Sequence, residues 1–244
     1  MTRRLIAVTG PDAAHFLQGL VTNDVKKAAG GPIYAAMLTP QGKYLADFFI
    51  VAQPDGYWID VAEDQAEALL RRLSMYRLRA KVDLALTDLA VARGTGPAPA
   101  GAVADPRHAA LGWRAYGQSG DDGSDWDAIR VTHCIPETGI ELTPETYILE
   151  AGFERLNGVD FRKGCYVGQE VTARMHHKTV LAKGLLTVAV DGAAPVGTPI
   201  MMADGREAGV LYTQSGGQGI AHLRFDRIGP GLMAGTAQVI AERP

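Results

Sequence analysis

Cysteine is scarce in this chain: among its 244 residues only Cys134 and Cys165 carry a thiol, and no C-x-x-C pair occurs. The sequence therefore implies no disulfide framework and favours a reducing compartment. Long apolar runs are also missing, since no stretch approaches the roughly 18 residues of a membrane span. The apolar segment 5–8 is interrupted at Gly10-Pro11, which makes it too short for a signal-peptide core and leaves no room for a transit peptide. We therefore expect a cytoplasmic protein that does not contact a membrane.

Neither sign of charge dominates. The formal net charge is −3, which argues against broad binding of nucleic acid but leaves room for a local basic pocket. Three common enzyme motifs are absent as well. Gly42-Lys43 lacks the upstream glycine of a phosphate-binding loop, Gly94-Thr95-Gly96 lies in a proline-rich segment rather than between a strand and a helix, and no G-x-S-x-G occurs.

What the sequence does contain is ample material for a core and a mixture of strand and helix patterns. Hydrophobic residues make up 47% of the chain, and the length predicts two or three domains. Alternation and turn signals predict strands over residues 5–8, 34–38, 44–51 and 57–61. Helix signals predict one helix from Pro11 to the polar cluster at residues 22–24, and a second that begins with Asp64 as its cap.

Two polar features of this half are candidates for ligand contacts. Asn23 either ends the first helix or lines a pocket. Arg77, Arg79 and Lys81 alternate within the segment 76–82, which predicts a strand with a cationic face. Such a face either lies in solvent or meets an anionic ligand.

The second half changes character twice. Residues 94–106 are rich in glycine, proline and alanine without periodicity, which is typical of a linker or a domain crossing. Residues 125–134 have weak helical spacing. Beyond Lys183, short β-type runs at 185–190, 200–202, 209–212, 220–223 and 238–240 are separated by glycine-containing turns, and they predict a small barrel or sandwich.

The octapeptide Lys163–Glu170 (KGCYVGQE) is the most informative stretch. It places Cys165 between two glycines, which permit turn conformations and let a ligand approach the main chain. A helix is predicted to begin after Gly168, so the thiol precedes a helix N-terminus and follows Arg162 and Lys163, a positive field that favours the thiolate. The alternative is a buried cysteine that acts as a small hydrophobic residue.

His176-His177 raises a metal hypothesis that the pattern does not support. Side chains of adjacent residues on a helix diverge by about 100° and rarely bind one ion together. Two cysteines also cannot supply the four thiolates that a [4Fe–4S] cluster normally takes. We therefore expect no stably bound metal.

The segment Val159–His177 (VDFRKGCYVGQEVTARMHH) resembles the signature of the YgfZ family. This is the folate-binding, iron–sulfur cluster assembly branch of the superfamily that contains the T-protein (aminomethyltransferase) of glycine cleavage. The double histidine after Arg174 is most similar to the branch that includes the mitochondrial assembly factors. The segments 8–25, 37–43, 76–82 and Ile148–Gly152 agree, so the likeness covers most of the first 185 residues.

This resemblance implies an α+β fold of three domains around a central folate site. Residues 1–30 and 105–176 would form a split first domain that carries the Lys-Gly-Cys-Tyr motif. Residues 31–104 would form an inserted α+β domain, and residues 177–244 a C-terminal β-barrel.

The resemblance also implies tetrahydrofolate, or a one-carbon derivative of it, as the cofactor. Glu150 would accept hydrogen bonds from the pterin. Asn23, Tyr166 and Arg174 would lie in the folate site, and Arg79 would face the folate's glutamate tail. Cys165 and Lys163 are the residues implied for the chemistry, with Lys163 near the thiol.

Two functions follow from the resemblance. The preferred one is a folate-dependent factor that supports assembly or repair of [4Fe–4S] clusters in client proteins, with the iron–sulfur assembly machinery as partner; the sequence leaves open whether it turns over a substrate. Cys165 would transiently bind a sulfur, persulfide or iron species, or resolve an oxidised one. The alternative is a folate-dependent aminomethyltransferase or demethylase. The aminomethyltransferases lack the cysteine octapeptide, and the T-protein's catalytic aspartate has only Asp60 and Asp83 as candidates, by neighbourhood alone.

Overall fold

The computed structural model describes residues 2–178 and 180–244, which form two compact units. The first unit comprises Met1–Ser124 and Phe153–Ala173, and the second comprises Asp125–Gly152 and Arg174–Pro244. The division into three domains with boundaries near residues 30, 105 and 176 stays a prediction. Among the described residues, no helix is long and apolar enough to cross a membrane.

The first unit contains nine strands and two complete α-helices among its described residues, together with the start of a helix that ends in the second unit. The strands are β1 (Arg3–Thr9), β2 (Ile33–Leu38), β3 (Tyr44–Gln53), β4 (Gly56–Ala62), β5 (Asp83–Leu86), β6 (Val91–Gly94), β7 (Val103–Ala104), β8 (Trp113–Tyr116) and β9 (Gly120–Asp121). The helices are α1 (Ala13–Gln18) and α2 (Glu63–Tyr76). Short 3-10 helices cover Val25–Gly30 and Ala109–Leu111.

The larger sheet of this unit has five antiparallel strands in the order β2-β3-β4-β1-β5. Leu17 of α1 and the stripe Ala66, Leu69 and Leu73 of α2 belong to the same buried cluster as Ile6 and Ile59 of the sheet. This three-to-four-residue spacing is the reason that α2 can bury one face against the strands. The four predicted strands are confirmed, each with somewhat wider bounds.

Two local predictions for this unit are wrong. The helix α2 begins at Glu63 after Ala62, and no side chain caps it, so Asp64 is not its cap. The predicted strand at 76–82 does not form, because α2 continues to Tyr76 and a turn follows, with β5 beginning at Asp83. The alternation of Arg77, Arg79 and Lys81 therefore does not describe a sheet face.

The second sheet of the first unit has four strands in the order β7-β8-β6-β9. The glycine- and proline-rich segment 94–106 connects β6 to β8, which pair antiparallel, and it contributes β7 on the way. This segment therefore joins strands of one sheet within one unit.

The second unit contains one whole helix, a six-stranded barrel and the end of a helix that begins in the first unit. The helices are α3 (Trp126–His133) and α4 (Gln169–Lys178), and the strands are β10 (Lys183–Asp191), β11 (Thr198–Met201), β12 (Glu207–Ser215), β13 (Gln218–Arg224), β14 (Leu232–Ala234) and β15 (Ala237–Ile240). A 3-10 helix covers Phe225–Arg227. Asp125 caps α3 by accepting from the Ala128 N–H at 3.0 Å.

The six strands close into a barrel in the order β10-β13-β12-β11-β14-β15, with β10 paired to β15. Its interior is filled by small and branched side chains from alternate positions, among them Val188, Ile200, Leu211, Leu223 and Val239. The predicted barrel is confirmed, and the helices and sheets together confirm an α+β protein.

Candidate functional site

Cys165 is exposed on a loop whose two ends are fixed to the residues that follow α1. Upstream, the Asp160 N–H donates to Thr22 O at 3.0 Å. Downstream, the Val167 N–H donates to Gly19 O at 3.2 Å. The thiol therefore lies on a short span between fixed points, and the alternative of a buried cysteine that acts as a small hydrophobic residue is wrong.

The buried ammonium of Lys163 is the strongest of these anchors. Its Nζ donates to Gln18 O at 2.8 Å and to Val21 O, two main-chain acceptors at and just beyond the end of α1. It also lies 4.9 Å from the centre of the Tyr166 ring. Burial lowers the pKa of Lys163 from 10.5 to about 8. These contacts hold the loop on α1. A role for Lys163 in the chemistry of the thiol stays a prediction.

Tyr166 and Gly168 fix the other side of the loop. Tyr166 is buried, its hydroxyl is hydrogen-bonded to Thr172, and burial raises its pKa to about 12. Gly168 has φ +85, and a Cβ at this position would lie 2.6 Å from Thr39 O in the turn between β2 and β3. Only glycine satisfies both conditions, so the start of α4 can press against this turn. The predicted helix start after Gly168 is confirmed.

The space beside the thiol is open on the side of Gly164. A Cβ added to Gly164 would meet no atom within 4 Å, and its φ is not in the left-handed region. Conformation therefore does not require this glycine. Its small size leaves the main chain next to Cys165 accessible to whatever approaches the thiol.

Asn23 is buried, and its side chain is occupied by the protein itself. Its Nδ2 donates to Tyr34 O and to Asn157 O, both at 2.8 Å, and its Oδ1 accepts from the Asp24 N–H at 2.8 Å. Asn23 also lines a cavity of about 310 Å³ together with Tyr34 and Asn157. Because both amide hydrogens are used, Asn23 joins the segment around Asn157 to β2.

Arg79 lies in the exposed turn Arg77–Lys81, together with the other two cations of the predicted cationic face. The Lys81 N–H donates to the Asp12 carboxylate at 2.8 Å, which fixes one end of the turn. Arg79 belongs to the first unit, whereas Glu150 and Arg174 belong to the second. Arg174 is exposed on α4.

Glu150 lies against the barrel, at a cavity of about 210 Å³ within the second unit. Its Oε2 is 3.3 Å from His222 Nε2 and 3.5 Å from Lys183 Nζ, and its side chain is 9% exposed. Its main-chain oxygen accepts from the Leu185 N–H at 2.8 Å. A Cβ at Gly184 would lie 3.0 Å from that oxygen, which explains the glycine in β10.

Sequence reasoning missed His222 and Lys183 as partners of Glu150. Both lie on barrel strands, where His222 pairs with Leu185 in the β10–β13 register. Alternating polar and apolar residues predict the barrel strands that carry these two residues. They do not predict that Glu150, far away in the sequence, lies beside them. Tyr212, whose pKa is raised by burial and then by Glu141, lines the same cavity.

Asp60, one of two candidates for a catalytic aspartate, is fully buried and ion-paired. Arg114 donates to its Oδ2 at 2.6 and 3.0 Å, Arg3 donates to its Oδ1 at 2.7 Å, and the Tyr116 hydroxyl lies 3.2 Å away. Burial alone would raise the pKa of Asp60, but the two guanidinium groups lower it. A carboxylate held in this way is a poor proton donor. Asp83, the other candidate, is exposed at the start of β5.

The histidine pair lies closer together than adjacent helical residues were expected to. His176 Nδ1 and His177 Nδ1 are 3.3 Å apart, and the rings meet edge to face. Within residues 2–178 and 180–244, no three side chains of histidine, cysteine, aspartate or glutamate come close enough to hold a metal ion.

Two family models match the chain, one over its N-terminal region and one over the C-terminal barrel. Residues 2–105 match the GCVT N-terminal domain, and residues 183–244 match the C-terminal beta-barrel domain of CAF17. Among solved structures, the glycine cleavage system aminomethyltransferase T of Bartonella henselae superposes with a TM-score of 0.74 over 97% of this chain and 81% of that one, at 14% identity. The fold is therefore that of the glycine cleavage T-protein superfamily, with a CAF17-type barrel.

Curated relatives identify the family within this superfamily to which the chain belongs. The mitochondrial iron–sulfur cluster assembly factor IBA57 of Homo sapiens is 33% identical over 93% of this chain and 76% of its own length. The protein of the same name from Mus musculus is 32% identical over the same shares, and the homolog from Neurospora crassa is 34% identical over 80% of this chain and 54% of its own. The chain belongs to the IBA57 family.

These relatives correct two expectations. The superfamily is the one expected, but the relatives are IBA57 proteins rather than YgfZ proteins. The expected cytoplasmic location is wrong, because the relatives are mitochondrial proteins by name. That expectation rested on the scarce cysteines, the absence of long apolar runs and the short apolar segment 5–8, none of which distinguishes the cytoplasm from the inside of an organelle.

Proposed function

We propose that this protein supports the assembly or repair of [4Fe–4S] clusters in client proteins, with Cys165 as its working thiol. The observation that carries this proposal is the exposed thiol on a loop anchored on both sides by main-chain hydrogen bonds and by Lys163. A thiol held in this way binds a soft metal or sulfur species with little loss of loop entropy. The names of the IBA57 relatives support the same role.

The cluster is cargo in this proposal. Cys165 supplies one sulfur ligand, and the chain has only one other cysteine. A four-iron cluster normally takes four thiolates. The remaining ligands therefore come from a partner in the iron–sulfur assembly machinery or from the client, and the contact lasts only as long as the transfer.

The test is complementation in a host strain that lacks this gene. The activity of a [4Fe–4S] dehydratase such as aconitase is measured in extracts after adding back wild type, Cys165→Ser or Cys134→Ser, with a cluster-free enzyme as reference. We expect wild type and Cys134→Ser to restore the dehydratase and Cys165→Ser to fail. Equal restoration by Cys165→Ser would show that the thiol has no role. Unchanged dehydratase activity in the deletion strain would sink the assembly function itself and favour a folate-dependent transferase.

We propose in addition that tetrahydrofolate, or a one-carbon derivative, is bound with its pterin ring at Glu150. The nearly buried carboxylate beside His222 and Lys183 offers acceptors at a cavity of about 210 Å³. This volume is below the roughly 300 Å³ of the smallest typical ligand pockets, so the cavity suits one ring system and not a whole folate. Asn23, Tyr166, Arg174 and Arg79 stay predictions as further contacts.

Calorimetric titration with tetrahydrofolate tests this second proposal. Glu150→Gln keeps the shape of the side chain but replaces one acceptor oxygen with a donor, so we expect at least a tenfold weaker Kd, about 1.4 kcal/mol. Glu207→Gln, an exposed change on β12, is the matched control and should bind as wild type does. Equal affinity of Glu150→Gln and wild type would remove the pterin from this cavity.

A further inference from the structure

The turn Arg77–Lys81 presents Leu78 to solvent in a conformation that leucine rarely adopts. Leu78 has φ +43 and is 88% exposed. The left-handed region is unfavourable for side chains with a Cβ, and such conformations concentrate at sites where the local geometry has a use. Met75, one helical turn earlier on α2, is 64% exposed. Two large apolar side chains therefore lie free at the end of α2.

The turn is fixed on both sides of Leu78. The Ala80 N–H donates to Arg77 O at 2.7 Å, and the Val82 N–H donates to Ala80 O at 3.0 Å. Tyr76, Ala80 and Val82 pack in or against the buried cluster of the first unit. Leu78 is thus displayed on a rigid support, which reduces the entropy that a partner would have to overcome.

Cations lie on both sides of the displayed leucine in the sequence. No carboxylate occurs between Glu67 and Asp83, whereas this interval contains five cations: Arg71, Arg72, Arg77, Arg79 and Lys81. Arg71 pairs with Glu67 at 3.3 Å. The other four form no ion pair with any residue in the described parts of the chain. The net charge of the whole protein is −3. The unpaired cations are therefore a feature of this segment and do not reflect a positive charge of the whole protein.

We propose that the turn Arg77–Lys81, with Met75, is the docking surface for a partner protein that offers an apolar socket bordered by aspartate and glutamate. An exposed apolar side chain can anchor a contact with an apolar socket, and cations beside it steer an acidic partner towards it. Leu78 would fill the socket, and the three cations of the turn, Arg77, Arg79 and Lys81, would set the orientation and speed the encounter. This inference does not depend on Cys165 or on the proposed function.

A protein fits these observations better than a membrane or a nucleic acid. Interfacial helices insert a long apolar face, whereas here only two apolar side chains are exposed on one turn. Phosphate backbones are bound by cations and hydrogen-bond donors, and neither kind of contact uses the exposed apolar side chain of Leu78.

The test places a photo-crosslinking amino acid at position 78 of the full chain in host cells. The expected result is one discrete crosslinked protein, which is then identified, purified and titrated against the unlabelled chain. Leu78→Ser and the charge reversal Arg79→Glu should each weaken its Kd at least about tenfold, the loss expected for one buried leucine or one interfacial charge. The affinity of wild type should also fall as salt is raised.

Matched controls are Val196→Ser, which removes an apolar side chain that is 59% exposed elsewhere, and Lys26→Glu, which reverses an exposed charge elsewhere. Both should bind as wild type does. The proposal is overturned if no protein is crosslinked, if the captured protein binds Leu78→Ser and Arg79→Glu as tightly as wild type, or if the turn binds only vesicles of phosphatidylserine and phosphatidylcholine or a DNA duplex. Complementation by wild type is unaffected by these outcomes, so this inference and the assembly function fail separately.

Discussion

Replacing Lys163 by methionine tests whether the Cys165 loop is held by a buried ammonium. Lys163→Met keeps most of the side-chain length and removes the two donated hydrogen bonds to Gln18 O and Val21 O. Hydrogen bonds from charged donors contribute about 1.5–3 kcal/mol each. Against them stands the cost of burying the charge, about 3 kcal/mol for a pKa lowered from 10.5 to about 8. We expect the variant to lose about 2 kcal/mol of unfolding free energy at pH 7.

The pH dependence of this loss has a definite sign. Because the pKa of Lys163 is lower in the folded state, the unfolded chain binds more protons between pH 8 and 10.5. The free energy of unfolding therefore rises with pH in that window, by up to about 1.4 kcal/mol per pH unit. The unfolding free energy gained when Lys163 loses its charge is fully present above pH 10.5 and is lost as the pH falls through about 8. Methionine has no proton to release. The gap, which is the unfolding free energy of wild type minus that of Lys163→Met, should therefore widen from about 2 kcal/mol at pH 7 to about 4 kcal/mol at pH 9.5.

Urea unfolding at both pH values measures the gap. In a Trp126→Phe background, fluorescence comes from Trp58 and Trp113, which belong to the first unit. Lys26→Met, at an exposed lysine, is the control and should shift stability by less than about 0.5 kcal/mol at either pH. A gap that stays constant with pH, or a Lys163→Met variant at least as stable as wild type at pH 7, would refute the reasoning.

Three further changes have expected outcomes in the same assay or in thermal unfolding. Gly168→Ala places a Cβ 2.6 Å from a main-chain oxygen of the β2–β3 turn at φ +85, and we expect a loss of about 3 kcal/mol in urea; a loss below about 1 kcal/mol would contradict this contact. Arg114→Met leaves the buried Asp60 carboxylate with one guanidinium fewer, and we expect a loss of about 3–5 kcal/mol, whereas a neutral result would mean that Arg3 alone satisfies Asp60. Gly209→Ala would bring a Cβ to 1.9 Å from a carbonyl oxygen of β13; circular dichroism on heating should show an early transition of the barrel, which Gly229→Ala, with no atom within 4 Å of the added Cβ, should not show.

The sequence predicted those parts of the fold that depend on local periodicity. Five of the six barrel strands follow from short alternating runs between glycine turns, and the missed β14 has only three residues between Gly231 and Gly235. The error at 76–82 has the same origin. Cations at every second position fit a strand, but α2 extends to Tyr76 and Leu78 enters the left-handed region, which no periodicity reports.

The candidate site was predictable only in part, because its contacts join residues that are far apart in sequence. The exposed Cys165 and the helix after Gly168 follow from the octapeptide itself. The burial of Lys163 does not, since a lysine beside a glycine and a cysteine is expected in solvent. Its acceptors lie 145 and 142 positions away. The same distance in sequence conceals the pairing of Asp60 with Arg114.

Closure of the barrel has a consequence for how this unit can meet other proteins. Because β10 pairs with β13 on one side and with β15 on the other, the ladder of main-chain hydrogen bonds returns to its start. An open sheet can be extended by a strand from another chain, and this is a frequent origin of aggregation. The ring offers no such edge, so any recognition at the barrel must be made by side chains and loops. The unit can therefore remain near other, partly folded proteins without recruiting their strands.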